Sequence, residues 1–256
     1  MSETKIFETA NTGSLQRPVF AVVIAAAGSG SRLGMGVPKA LVEIAGKTLL
    51  EWALEGAVTS GVATRLVVTV PVGDTQMRDI CARFGALAVE GGNTRAESVT
   101  SALVALEDAP VQAGFDDAPI TGVLVHDAAR CFTPPQVFHA VIRALAAGQQ
   151  AVIPALTVVD TIKTVDASGL VTGTPARSQL RAVQTPQGFD LATLRQAHRE
   201  VKNLDPVTAE AITDDAMLAE TLNIPVLAVA GHPHAFKITT PLDLALARVL
   251  QEDNYL

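Results

Sequence analysis

The 256-residue sequence predicts an α/β protein: a mixed, mostly parallel sheet with a protruding β-hairpin arm. Three observations carry that prediction. Short β-branched runs alternate with segments of helical period, which implies right-handed crossovers onto one sheet. The runs are apolar throughout, as strands covered on both faces are. Hydrophobic residues reach 48% while aromatics make up only 4%, a balance that suits small aliphatic side chains packed between helices and a sheet.

Val19–Ala25 is a strand that stops at the Gly-rich turn Ala27-Gly28-Ser29-Gly30. A helix over about 48–60 is expected from Leu50, Ala53, Leu54 and Ala57 at i, i+3, i+4 and i+7. Leu66–Val70 is the second strand and closes at Pro71-Val72-Gly73. A short helix near 75–84, a strand near 86–90 and a helix near 95–106 come next. The polar, turn-rich stretch 107–119 reads as a surface loop. Then come a buried strand at Gly122–His126, a helix at Pro135–Ala147 with a proline early in it, and a strand at Ala151–Pro154.

Residues about 158–186 break the rhythm. Their β-branched and polar residues alternate around Ala167-Ser168-Gly169, the pattern of a hairpin leaving the main sheet. Helices near 190–202 and 214–221, a strand near 226–230 and a last helix complete the chain. Thr240 is the expected N-cap of that helix and Pro241 its first position. Its expected core stripe is Leu242, Ala245, Leu246, Val249 and Leu250. The organisation is read as a flexible N-terminal extension over 1–17 and a single domain over 18–256, with the arm at about 158–186.

Composition also excludes function classes. Nineteen Lys+Arg against 26 Asp+Glu give a net charge of −7, and the chain has no basic run of five or more residues. That removes the sequence case for duplex nucleic acid or an anionic membrane as partner. Cys81 and Cys131 are the two cysteines, without metal-ligand spacing, which argues against a zinc site or a disulfide framework. The longest fully apolar run, Val19–Ala27, is nine residues, short of the ~20 that a spanning helix needs. The first seventeen residues hold no apolar targeting region. A cytoplasmic protein is expected.

The segment AAAGSGSRLGMGVPK, residues 25–39, comes directly after the first strand. Its glycines let backbone N–H groups approach a phosphate closely. It matches neither of two familiar phosphate motifs. The G-x-G-x-x-G fingerprint fails after Gly30, and no acidic residue ends the second strand. A P-loop ending in Gly46-Lys47-Thr48 would need glycine where Leu41 stands. There remain Arg32 inside the turn and Lys39 behind Pro38, two cations beside bare amides, which suit a triphosphate.

VHDAAR, residues 125–130, ends a buried strand, and ligands of open α/β sheets bind outside the carboxyl ends of strands. Mg²⁺ takes oxygen ligands and often one carboxylate plus substrate phosphates, so Asp127 is the expected metal ligand. The neighbouring His126 reads as structural. In EGGNTRAESV, residues 90–99, a glycine turn opens a helix that carries Arg95 and Ser98, and Asn93 alone would also serve as a helix cap.

These segments, with TIK and TPARSQLRAVQTPQ in the arm, ITDDA at 212–216 and FKITTP at 236–241, together resemble one family from about residue 19 to 250. It is the family of 2-C-methyl-D-erythritol 4-phosphate cytidylyltransferases of the non-mevalonate isoprenoid pathway. The resemblance implies the nucleotidyltransferase form of the Rossmann-like sheet and a reaction between CTP and a sugar-alcohol phosphate. It implies nucleotide contacts by Ala26, Ala27, Gly28, Gly30, Gly92, Asn93, Ser98 and Ala128. The implied catalytic cations are Arg32, Lys39, Arg177 and Lys237, and Arg130, Thr161, Thr185 and Thr213 lie on the acceptor side. It further implies Mg²⁺ or another divalent cation on Asp127. The implied assembly is a homodimer with arm exchange, in which Arg177 comes from the partner.

The chain departs from the family pattern at Asn93, where some relatives have Asp, at Cys131, where Pro is usual, and at Phe236 and Leu242 around Lys237. Ribitol-5-phosphate cytidylyltransferases share the loop and the Asp, but the HDAAR run and the arm favour the methylerythritol family. A catalytically silent nucleotide-binding regulator is disfavoured because Arg32, Lys39, Asp127 and Lys237 are all present.

Overall fold

In the computed structural model, which describes residues 18–28, 36–201 and 212–252, the central strands are apolar on both sides because helices cover both faces of the sheet. The chain runs β1 (Phe20–Ala25), a ribbon of β2 and β3 (Glu43–Ile44, Lys47–Thr48), α1 (Leu49–Thr59), β4 (Arg65–Val70), α2 (Thr75–Arg83) and β5 (Leu87–Glu90). It continues with α3 (Arg95–Val104), β6 (Gly122–Asp127), α4 (Pro135–Ala146) and β7 (Ala151–Thr157). A ribbon of β8 and β9 (Thr164–Val165, Val171–Gly173) precedes β10 (Arg181–Val183) and β11 (Gln187–Asp190). Then come α5 (Leu191–Glu200), α6 (Asp215–Thr221), β12 (Val226–Ala230) and α7 (Pro241–Glu252).

The main sheet has the order β5-β4-β1-β6-β11-β7, with β12 on the far side of β7 and β10 continuing the line of β11 along β7. β1, β4, β5 and β6 are mutually parallel, β12 is parallel to β7, and β10 and β11 run antiparallel to their neighbours. The sheet is therefore mixed and mostly parallel, as the sequence predicts.

Successive side chains of a strand point to opposite faces, and β1 shows the consequence. Phe20, Val22 and Ile24 join the layer of α1, α2, α4 and α7, whereas Ala21 and Val23 join that of α3, α5 and α6. Polar residues close the helices locally. Thr48 and Glu51 form a reciprocal capping box at α1, and Asp190 and Asp214 cap α5 and α6 through the Thr193 and Met217 N–H groups.

Two expectations change. The excursion from the sheet is shorter than 158–186, because β7 extends to Thr157 and the chain has rejoined its edge at Arg181. The next strand, β11, lies between β6 and β7. Its Gln187-Gly188 start hides it from hydrophobic patterning. The core stripe of the last helix is also corrected: α7 buries Leu244 and Ala247, while Leu242, Leu246 and Val249 are exposed. Its entry sets this phase. The Ile238 N–H bonds to the Ala129 carbonyl at 2.8 Å, and Asp243 accepts from the Thr239 and Thr240 N–H groups at 2.8 Å each. Thr240 is the cap as expected, accepting from the Asp243 N–H.

α4 lies so close to β11 that a Cβ on Gly188 would stand 2.3 Å from Val141 Cγ1 and 2.9 Å from Leu145 Cδ1. Gly188→Ala should destabilise the fold by about 1–3 kcal/mol, the usual cost of overpacking. Urea denaturation checks this, and an unshifted midpoint would contradict the close packing.

Candidate active site

The β1–β6 register sets Ala25 opposite Asp127, so the carboxyl ends of these two strands share one edge of the sheet. From β1 the chain builds outward to β4 and β5, then returns to place β6 on the other side of β1. That is a topological switch point, where open α/β sheets hold ligands. A cleft of about 100 Å³ opens there and gathers Ala26, Gly28, Lys39, Asp127, Ala128 and Lys237. It is smaller than the ~300 Å³ of ordinary ligand pockets, a size for phosphate groups rather than a whole nucleotide. Lys39 reaches it from a single 3₁₀ turn behind Pro38. Arg32 and Gly30 lie outside the described residues.

Asp127 is buried, and three cations surround its carboxylate. Lys237 Nζ is 2.7 Å from Oδ2, Arg95 Nη2 is 3.5 Å from Oδ1, and Arg130 Nε is 3.9 Å from Oδ2. Burial alone would push the Asp127 carboxyl up, but Arg95, Lys237 and Arg130 outweigh it and hold the group well below the usual carboxylate range. Below the carboxylate, the Thr185 hydroxyl accepts from the Asp127 N–H at 3.1 Å and lies 2.8 Å from His126 Nδ1. Burial pushes His126 down to about 4, so its ring is neutral near pH 7. His126 is structural, as its place in the sequence suggests.

The 91–98 turn is shaped by its own side chains. Ser98 Oγ accepts from the Gly92 N–H at 3.1 Å and donates to the Thr94 carbonyl at 2.9 Å, while Glu97 accepts from the Asn93 N–H at 2.8 Å. Thr94 rather than Asn93 caps α3, which leaves the Asn93 side chain on an exposed residue. A Cβ on Gly91 would stand 2.5 Å from that of Ala27, so only glycine lets this turn press against the 25–28 segment.

The remaining candidates divide. Arg130 donates to the Ala235 carbonyl at 2.8 Å and the Val183 carbonyl at 3.1 Å, which ties three segments together beside Asp127. Thr185 is buried, so its observed work is to position Asp127. Thr161 and Arg177 stand on the exposed arm, where Arg177 donates to the Val159 carbonyl at 2.7 Å, and neither lines the Asp127 cleft. Thr213 is exposed ahead of α6, with its hydroxyl 3.2 Å from Met217 Sδ.

Sequence patterning leaves Arg95, Asp215 and His198 without roles. Arg95 pairs with both Asp127 and Asp215, and His198 Nε2 lies 3.0 Å from Asp215 Oδ1. The only sequence signal was the acidic pair in ITDDA. Asp215 is almost fully buried, yet Arg95 and His198 hold its carboxyl below the ordinary range against the opposing effect of burial.

Comparison with known proteins places this arrangement. The family model described as 2-C-methyl-D-erythritol 4-phosphate cytidylyltransferase matches residues 20–252. A Rhodococcus jostii protein of that name is 46% identical over 236 residues, covering 92% of this chain and 96% of the relative. One from Nocardia farcinica is 45% identical over 230 residues, covering 89% and 92%. The crystal structure of the Thermus thermophilus protein of that name aligns with a TM-score of 0.70 at 35% identity, covering 90% of this chain and 98% of the other.

Removing one partner of a buried ion pair leaves an uncompensated charge. Asp215→Asn should therefore cost about 3–5 kcal/mol in denaturant unfolding. Because the folded carboxyl titrates below its unfolded value of ~3.9, the stabilisation is complete above about pH 4 and is lost as pH falls through the folded value. Unfolding midpoints measured from pH 7 to 3 should fall more steeply for the wild type than for Asp215→Asn. Parallel curves would contradict the pairing.

Proposed function

We infer the chemistry of this site from the family to which the chain belongs, the 2-C-methyl-D-erythritol 4-phosphate cytidylyltransferases, and from the cations that converge on Asp127. The reaction joins CTP and 2-C-methyl-D-erythritol 4-phosphate to give 4-diphosphocytidyl-2-C-methyl-D-erythritol and pyrophosphate, in isoprenoid precursor biosynthesis. In our reading, an acceptor phosphate oxygen attacks the α-phosphorus of CTP in line. The new P–O bond forms as the bond from the α-phosphorus to the oxygen between the α- and β-phosphates breaks, and that oxygen leaves with the pyrophosphate. The acceptor phosphate is already ionised near neutral pH, so the step needs no general base.

The observation that carries this reading is the cleft itself, where Lys39 and Lys237 flank Asp127 at the ends of β1 and β6. Lys39 and Arg32 stabilise charge at the α-phosphorus, and Lys237 orients the acceptor phosphate. Ala26, Ala27, Gly28 and Gly30 contact the triphosphate, while Gly92 and Asn93 contact the base and ribose.

Mg²⁺ fits this donor set in one way. Among the described residues no group of three His, Cys, Asp or Glu side chains converges, so Asp127 would hold the ion through one oxygen, with substrate phosphates and water as its other ligands. When bound, the ion neutralises phosphate charge.

We further propose a homodimer in which the arm crosses to the partner and brings Thr161 and Arg177 to its acceptor phosphate. The arm exposes Val159, Ile162, Val165, Leu170 and Val171, an apolar surface that a second copy would cover. The cytoplasm suits the two buried free thiols, and no helix among the described residues is long and apolar enough to cross a membrane.

Pyrophosphate release should appear with CTP, Mg²⁺ and 2-C-methyl-D-erythritol 4-phosphate and be absent with ribitol 5-phosphate. The reverse pattern would overturn the acceptor. Lys237→Ala should lower kcat by about 10²–10³, as loss of a transition-state charge contact does, and near-normal turnover would remove Lys237 from the mechanism. Neither Lys237→Ala nor Arg177→Ala alone should turn over well, but mixed dimers of the two should regain activity at one of their sites. Failure of mixing to restore any activity would place Arg177 in its own chain's site or in none.

A further inference from the structure

The two Asp127 oxygens are divided between different kinds of partner. Oδ2 faces Lys237 at 2.7 Å and Arg130 at 3.9 Å. Oδ1 faces Arg95 Nη2 at 3.5 Å. Lys237 belongs to the segment between β12 and α7, its side chain is 40% exposed, and it borders the cleft. Arg95 is held differently. It projects from the first turn of α3, and its other terminal nitrogen pairs with Asp215 Oδ2. Asp215 Oδ1 lies 3.0 Å from His198 Nε2, and the opposite ring nitrogen of His198 lies 3.0 Å from Thr100 Oγ1, back on α3. Arg95 is thus held by a chain of four side chains from three helices that begins and ends on α3, with Asp215 and His198 almost wholly buried.

A guanidinium is a rigid planar fork, and here it spans two carboxylates. A chain of contacts that served only to join α3, α5 and α6 would be complete with Asp215 alone. It has no need of the second nitrogen on Asp127.

We propose that Arg95 is a positioning residue for the reaction, fixing Oδ1 of Asp127 so that Oδ2 stays turned to the cleft, with Asp215 and His198 as its anchor. The inference rests on the metal-binding role proposed for Asp127. It also ties the turn at 91–98 to the carboxylate, because Arg95 sits between Gly92 and Ser98, the two residues that close that turn.

The test is calorimetric titration of the full-length protein with CTP, with and without Mg²⁺, beside turnover and thermal melting. Outer partners of a metal-binding side chain typically contribute about 10–100-fold in metal affinity or activity. For a folded Arg95→Gln protein, affinity for CTP alone should stay within about threefold of the wild type. The gain in affinity that Mg²⁺ gives should shrink by about tenfold or more, and kcat should fall by a similar factor. Arg95→Lys, which keeps the charge and loses the fork, should fall between the two. An undiminished Mg²⁺ gain in folded Arg95→Gln overturns the proposal. If that variant does not fold, an undiminished gain in Arg95→Lys does so. Asp127→Asn separates the two levels: if it keeps the full Mg²⁺ gain, the role of Asp127 itself fails and the proposal with it. If it loses the gain while the Arg95 variants keep theirs, only the positioning role fails.

Discussion

A buried carboxylate at the end of a sheet strand is the constraint around which this protein is arranged. Asp127 sits where β6 ends, buried except where it borders the cleft, and an isolated charge there would cost several kcal/mol. Its compensation comes from three segments, two of them distant in the chain: Arg95 from α3, Lys237 from the approach to α7, and Arg130 from the turn directly after β6. Each of those segments must be in place before the charge is satisfied.

The same convergence suits phosphate chemistry. Three cations around one anion leave local positive charge, at an edge where Lys39 adds another. Such a site attracts a polyanion although the whole chain carries −7. Net charge speaks to solubility and nonspecific partners, whereas the placement of a few side chains governs what the cleft holds.

The parts of the fold legible in the sequence were those whose pattern is local. β1, β4 and β6 are apolar on both faces and bounded by turns, so they stand out. Asp127 was legible because it ends a buried strand, whereas Lys237 was pointed to only by the family resemblance. β11 was hidden because a strand beginning Gln-Gly carries no hydrophobic signature, even though it lies between two buried strands. α7 misled because its richest apolar stripe faces outward and the anchoring of its entry, not composition, sets its rotation. Arg95 could not be read at all: its partners lie 32 and 120 residues away, and no spacing rule spans such separations.

The short stretch from Arg181 to Gln187, where the arm rejoins the sheet, is tied to the site and its surroundings at three successive residues. The Val183 carbonyl takes Arg130, Gln184 exchanges two hydrogen bonds with the His232 backbone, and Thr185 supports Asp127. Thr185 lies in the bend between β10 and β11, and a one-residue insertion here would move it off the Asp127 N–H that it accepts from. The hairpin between Thr164 and Gly173 is exposed and carries no such ties to the sheet core. A change of length at the tip of the arm would therefore leave the hydrogen bonds around Asp127 in place, while the few residues at its root must keep their number.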